Sequence, residues 1–250
     1  MRKFAELLSL FLPILIRRFF FQLFAITLGK GYDLGSVKKE FEYVKSFIKG
    51  TPRILIDVGA NNGSYSQELI NNYPNSEIYI FEPQKYLFNK LSEKFFKIDN
   101  IKIFNIALDE IEKETLLNKR FDGDELASIY KRNHFKNEDN FQEKIFCKRL
   151  DEIIINKKID FIKIDVEGNE MKVLKGMEKI IHNIKVIQVE FGGTWISSRF
   201  FYRDLFLFLK EKNFLLYRMA PNTLIELNNY DEADEYFKFT NFVAVNKSYV

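Results

Sequence analysis

The sequence predicts an α/β fold: a Rossmann-like doubly wound sheet of about seven strands, mostly parallel with an antiparallel last strand, and helices on both faces. Three observations predict it. β-branched runs alternate with helix-period segments from residue 51 onward, the order expected of crossover connections. Two of those runs pass through a glycine turn straight into a helix. At 250 residues with 46% hydrophobic content, the chain can bury one large core, and no Gly/Pro/Ser tract or internal repeat divides it.

The N-terminus fits this pattern least. Residues 7–16 and 19–28 are apolar runs separated by Arg17 and Arg18, with Pro13 inside the first. A spanning helix would place both arginines near the bilayer centre, at about 2.5–3.5 kcal/mol each, so spanning is disfavoured. Arg2 and Lys3 precede a short apolar region as in a secretory signal, but no small-residue cleavage site follows, and the segment is read as retained. Two readings stay open. The runs form helices packed on the domain or on a twin subunit in a homodimer, or they lie on a membrane surface with the arginines at headgroup level. Residues 1–50, with a helix expected at 36–49, are thus an apolar helical extension ahead of the α/β domain at 51–250.

The next segment, Ile54-Leu55-Ile56-Asp57-Val58-Gly59-Ala60-Asn61-Asn62-Gly63-Ser64-Tyr65, reads as strand, loop and helix. Gly59 and Gly63 permit positive φ and put no Cβ between backbone and ligand, while Ser64 and Gln67 have capping-box spacing. Backbone donors and the helix dipole favour an anion here. The loop carries no lysine or arginine and is not G-x-G-x-x-G, so the anion is a carboxylate in preference to a pyrophosphate. Glu82 follows at the end of the next strand, where an acid binds ribose hydroxyls. S-adenosyl-L-methionine combines that carboxylate with that ribose. A tight turn without a ligand is the plainer alternative, and Glu82 weighs against it.

Strands are expected at residues 53–58, 77–82 and 101–107, with helices at 64–72 and 84–97; Leu87, Leu91 and Phe95 form a core stripe. From 117 to 143 the chain turns polar around Asp122-Gly123-Asp124, an insertion of the kind that covers a site. A strand at 144–149, a short helix at 150–155 and a buried strand at 160–165 follow. Ile162-Lys163-Ile164-Asp165-Val166-Glu167-Gly168-Asn169-Glu170 then repeats the strand-to-helix turn, and Met171, Leu174, Met177 and Ile181 make one apolar stripe. In a parallel sheet Asp57, Glu82, Asp165 and Glu190 share the C-terminal edge, and acids without cations call for a positive ligand, a sulfonium or a divalent metal. A helix at 202–212 and strands at 214–218 and 241–246 complete the sheet.

These residues resemble the FkbM-type methyltransferases, within the class I S-adenosylmethionine-dependent enzymes. The match rests on Ile56-Asp57-Val58-Gly59-Ala60-Asn61-Asn62-Gly63, on Phe81-Glu82-Pro83, and on residues 162–170 continuing into Val173-Leu174-Lys175-Gly176. It runs from about Thr51 to Phe191 and includes Asn105-Ile106-Ala107-Leu108 and Leu150-Asp151-Glu152-Ile153. The resemblance implies methyl transfer, usually to a hydroxyl oxygen, often on sugars or polyketide-like secondary metabolites; a glycan or glycolipid precursor is the acceptor expected here. It further implies that Asp57, Gly59, Ala60, Asn61 and Gly63 hold the methionine end, Glu82 the ribose, and Ala107 the adenine side, with Asp165 beside the methyl donor.

Asp165 is the first candidate for the base that takes the hydroxyl proton, followed by Glu190 and Glu167. His134, in the polar insertion, and Trp195, after the strand ending at Glu190, are candidates for acceptor binding. Magnesium on Asp165, Glu167, Glu170 and Glu190 is conceivable but no metal is expected; two histidines give no zinc cluster and no Ser/His/Asp triad. A net charge of +3 spread among acids does not indicate nucleic acid. The lone Cys147 forms no intrachain disulfide and fits a reducing, cytoplasmic location, peripheral to the inner membrane face if the N-terminus lies on lipid. A non-catalytic, membrane-associated binding or scaffold protein on the same fold is the competing function.

Overall fold

Runs of β-branched residues with both faces covered build the centre of the molecule. The computed structural model describes residues 3, 11–131 and 141–249. Its helices α1 (Ile14–Thr27) and α2 (Val37–Lys45) precede β1 (Ile54–Val58), α3 (Ser64–Asn72), β2 (Glu77–Phe81), α4 (Lys85–Phe95) and β3 (Ile101–Phe104). Next come β4 (Ala107–Leu108), β5 (Lys113–Lys119), β6 (Phe141–Lys148), α5 (Leu150–Ile153), β7 (Ile159–Ile164), α6 (Glu170–Gly176) and β8 (Ile184–Phe191). The chain ends with α7 (Thr194–Ser198), α8 (Tyr202–Glu211), β9 (Phe214–Ala220), β10 (Thr223–Glu226) and β11 (Thr240–Asn246).

Eight strands form the main sheet in the order β10-β9-β11-β8-β7-β1-β2-β3. β1, β2, β3, β7 and β8 pair in parallel, and β11 runs antiparallel between β8 and β9. All five residues of β1 are buried, as a strand covered on both faces requires. One face carries α2, α3 and α4 through Phe41, Leu69 and Leu91; the other carries α6 and α8 through Leu174 and Leu209. The chain leaves β1 toward β2 and β3, then returns to β7 on the opposite side. The crevice between the C-terminal ends of β1 and β7 is therefore the topological switch point, where ligands of such sheets bind.

Three elements depart from expectation. The strand expected at 101–107 breaks at Asn105, whose side-chain amide donates to the carbonyls of Glu82 (3.1 Å) and Pro83 (2.8 Å) and turns the chain away. The strand expected at 144–149 begins at Phe141 and joins β4 and β5 in a separate three-stranded sheet. The main sheet gains β10 through a hairpin whose turn residue, Asn222, has φ +60°. Polar, short and half-exposed strands of this kind show no period a sequence can display.

In the N-terminal segment α2 is core: Phe41 and Val44 are fully buried with Leu34 and Ile48 in the same cluster as β1. α1 is the opposite, with Phe19, Phe20, Phe21, Leu23 and Phe24 exposed and only Ala25 buried. Among the described residues no helix is long and apolar enough to cross a membrane.

Candidate active site

At the switch point, β1 must turn against the end of β7. A Cβ on Gly59 would lie 1.9 Å from the Asp165 carbonyl oxygen, and φ there is +79°, so only glycine lets the two strand ends meet. Gly63 has a different task. It is the left-handed residue ahead of α3, where a Cβ would press on Leu91 and Phe95. The helix is started by Asn62, whose side-chain oxygen accepts the Ser64 N–H at 3.0 Å; the expected Ser64–Gln67 capping box does not form.

The loop amides are spent inside the protein. Gly59 and Ala60 N–H donate to the Phe81 carbonyl at 3.0 and 3.2 Å, and Asn61 N–H donates to Glu82 Oε2 at 2.8 Å. The expectation of bare amides for an anion is corrected at these three residues. Glu82 also accepts the Gln84 N–H at 2.9 Å, so it fastens the loop as well as facing the cleft. Burial pushes its carboxyl up to about 7 against the pull of these amides.

A cleft opens between the loop and the insertion. Its lining includes Gly59 and Glu82, Ile106, Ala107 and Leu108, and Ala127 and Ile129 of the insertion. The insertion is tied down at both sides. Gln84 exchanges hydrogen bonds with Gly123 N–H (3.2 Å) and the Asp124 carbonyl (3.0 Å), and Ser128 Oγ donates to the Glu167 carbonyl at 2.6 Å. Residues 123–129 of the insertion thus cover the site, as its polarity implied.

Asp165 and Glu190 meet at the end of β7 and β8. Burial first, then the charge of Asp165 and a side-chain hydrogen bond with it, push the Glu190 carboxyl well above the usual range. The two carboxyl groups are joined by a hydrogen bond where the strands end. Glu167, with φ +56°, lines the same cleft. Glu170 turns inward to accept the Val166 and Gly168 N–H groups at 3.0 Å, and its burial raises it to about 8; it holds the turn rather than a ligand. Among the described residues no group of three or more His, Cys, Asp or Glu is spaced to hold a metal ion.

Asp57 is completely buried behind the loop, where Oδ2 accepts from Ser66 Oγ at 2.6 Å and Oδ1 has no partner. It braces α3 and does not line the cleft. Burial raises it despite Lys163 and Ser66. Trp195 is corrected likewise. It is 1% exposed, packs on Phe191 at 4.8 Å and donates from Nε1 to the Glu190 carbonyl at 3.2 Å, so no ring face is offered to a ligand. Its neighbours Thr194, Ile196, Phe237 and Phe239 line an adjoining cleft with Glu167 and Glu190 instead. His134 lies outside the described residues.

Lys163 was missed as a site residue. Its Nζ lies 2.9 Å from Asp165 Oδ2 and 5.0 Å from the Tyr65 ring centroid. Burial lowers its proton affinity, but the charges of Asp165, Asp57 and Glu40 outweigh that and hold the ammonium well above its ordinary range. The acid cluster has its own cation. The sequence shows a lysine two residues before Asp165, but nothing in it tells that the ammonium turns toward these acids.

The model of the methyltransferase FkbM domain matches residues 57–216. The chain belongs to the FkbM methyltransferase family. Methyltransferases of this family use S-adenosylmethionine, and the residues here fit it: a buried carboxylate for ribose hydroxyls, an apolar slot at Ala107, and acids facing the place of a sulfonium. Among solved structures, a candidate rRNA methylase from Clostridium thermocellum is similar at 12% identity and TM-score 0.50, covering 84% of this chain and 94% of its own. A candidate methyltransferase from Streptococcus mutans, solved with S-adenosylhomocysteine, shows 13% identity and TM-score 0.47 over 82% of this chain and 96% of its own. Precorrin-6y C5,15-methyltransferase from Geobacter metallireducens shows 13% identity and TM-score 0.43 over 83% and 89%. No curated protein matches the chain significantly in sequence.

Proposed function

We propose that this FkbM methyltransferase methylates a hydroxyl oxygen on a sugar of a glycan or glycolipid precursor. The observation that carries the reading is the Asp165–Glu190 pair, placed between the two clefts. When bound, the cofactor supplies an electrophilic methyl group on a sulfonium. The protein aligns the acceptor, excludes water and takes up one proton. Asp165, paired with the Lys163 ammonium, accepts the hydroxyl proton, and Glu190, hydrogen-bonded to Asp165, orients it. Carboxylates beside the rings of Phe237 and Phe239 suit a polyhydroxyl acceptor, which offers donors along its edge and C–H groups on its faces.

The test is transfer of radiolabelled methyl into separated glycan, glycolipid and RNA pools. Label in acid-stable O-methyl sugar supports the reading; label in RNA, or on nitrogen or carbon, overturns it. Asp165→Asn is expected to lower turnover about 100-fold or more while S-adenosylhomocysteine still binds.

The exposed apolar surface of α1 favours a second reading, a protein held on a membrane surface or against a twin subunit, with or without turnover. Flotation with anionic vesicles, set beside sedimentation without lipid, separates the two. Cofactor binding with no labelled product from any pool makes the scaffold the better account.

A further inference from the structure

The amides of Gly59, Ala60 and Asn61 donate to Phe81 and Glu82, so a donor besides these three is looked for at the anionic end of the cofactor. Beneath the loop the cleft wall is lined by Asn62 and Ser64, by Lys163 and Asp165, and by Asp33 and Val37 from the N-terminal segment. Lys163 is the one basic side chain among the described residues lining that wall. Its ammonium has three donors, of which Asp165 takes one.

What keeps the ammonium there is a buried polar chain that starts outside the matched domain. Glu40 of α2 accepts a short hydrogen bond from Gln188 Nε2, and Gln188 Oε1 accepts from Tyr65 Oη at 2.6 Å. Gln188 is fully buried on β8, beneath the same wall, and its amide also reaches Asn241 of β11 at 3.4 Å. Tyr65 in turn lies against Lys163, and Glu40 acts on Lys163 through its charge. The amino-acid end of the cofactor presents a carboxylate, and the Lys163 ammonium on this wall is the complementary charge.

We propose that Lys163 receives the carboxylate of the cofactor's methionyl end, and that Glu40, reaching in from α2, is the positioning residue that holds this ammonium at the cleft wall. The N-terminal segment is then part of the donor site. The inference rests on the cofactor and leaves the identity of the acceptor untouched.

Calorimetry with S-adenosylhomocysteine and 5′-methylthioadenosine, which lacks the amino-acid end, tests it without turnover. Lys163→Met is expected to weaken S-adenosylhomocysteine about 10- to 150-fold, the range of a hydrogen bond between charged groups, and to leave methylthioadenosine within about twofold. Equal loss of both ligands, or loss of neither, overturns the assignment. Should that variant fail to fold, Lys163→Arg carries the test, because it keeps the charge and alters its reach: a selective loss supports, an equal loss overturns. Glu40→Gln is expected to weaken S-adenosylhomocysteine selectively, and by less. It is also expected to flatten the pH dependence of that affinity between pH 6 and 8, where Glu40, raised by burial to about 7, titrates against Lys163, Asp165 and Asp57. A wild-type profile in the variant overturns the role of Glu40.

Discussion

At Gly59 one hydrogen atom decides whether β1 can reach β7. An added methyl group meets the Asp165 carbonyl at 1.9 Å and must also hold a left-handed φ, which costs about 1–2 kcal/mol before any clash. At Gly63 the same methyl meets the ends of Leu91 and Phe95, which can shift. Gly59→Ala is therefore expected to lower the melting temperature by at least about 4 °C and to abolish S-adenosylhomocysteine binding, while Gly63→Ala does less on both counts. Equal melting temperatures for the two variants contradict this. The same contrast shows what a sequence displays at this scale. A glycine needed for close approach was legible from its place between a strand and a helix. Lys163 was not, because a charge inside an apolar run signals only that the strand has a polar face, and its partners Tyr65, Glu40 and Asp57 lie far away in sequence. Trp195 misled for a related reason. Proximity to Glu190 in the chain said nothing of which side of β8 the ring would take, and the ring took the core.

The two helices of the N-terminal segment meet opposite fates, the more polar one packed into the core and the more apolar one left outside it. α2 carries Ser36 as N-cap, accepting the Lys39 N–H at 3.3 Å, and buries Phe41 and Val44 completely. α1 has no capping side chain, and Phe20 and Phe24 are 57% and 65% exposed. Phe41→Ala is expected to cost about 3–5 kcal/mol in urea unfolding, whereas the pair Phe20→Ser and Phe24→Ser changes stability by no more than about 0.5 kcal/mol each and raises solubility. A large loss from the α1 pair means that surface is already covered, by a second copy. The elements with strong periods, β1, β7 and the Met171–Leu174–Met177 stripe, were legible because both faces of each are decided by burial. The β4–β6–β5 sheet was not, since β5 and β6 alternate buried with exposed residues only in part and pair across an insertion.

For the whole molecule, the buried acids set how stability responds to pH. Glu40 and Glu82 sit at about 7 and Glu170 at about 8, each raised mainly by burial. A carboxyl raised in the folded state binds a proton that the unfolded chain has already released. Its contribution is fully present below the unfolded value and is lost as pH rises through the folded one, at up to about 1.4 kcal/mol per group for each pH step of one. Glu77 works in the other direction: Lys102 holds it down at about 2, so its smaller, solvent-screened contribution disappears in acid. The melting temperature is accordingly expected to peak near pH 5 and to fall steadily toward pH 8. Glu82→Gln and Glu170→Gln should each flatten that fall, because a neutral amide has no proton to lose. A melting temperature that stays level or climbs between pH 5 and 8 contradicts the account, and it would mean that the acids at the switch point are ionised in the folded protein before any cationic ligand arrives.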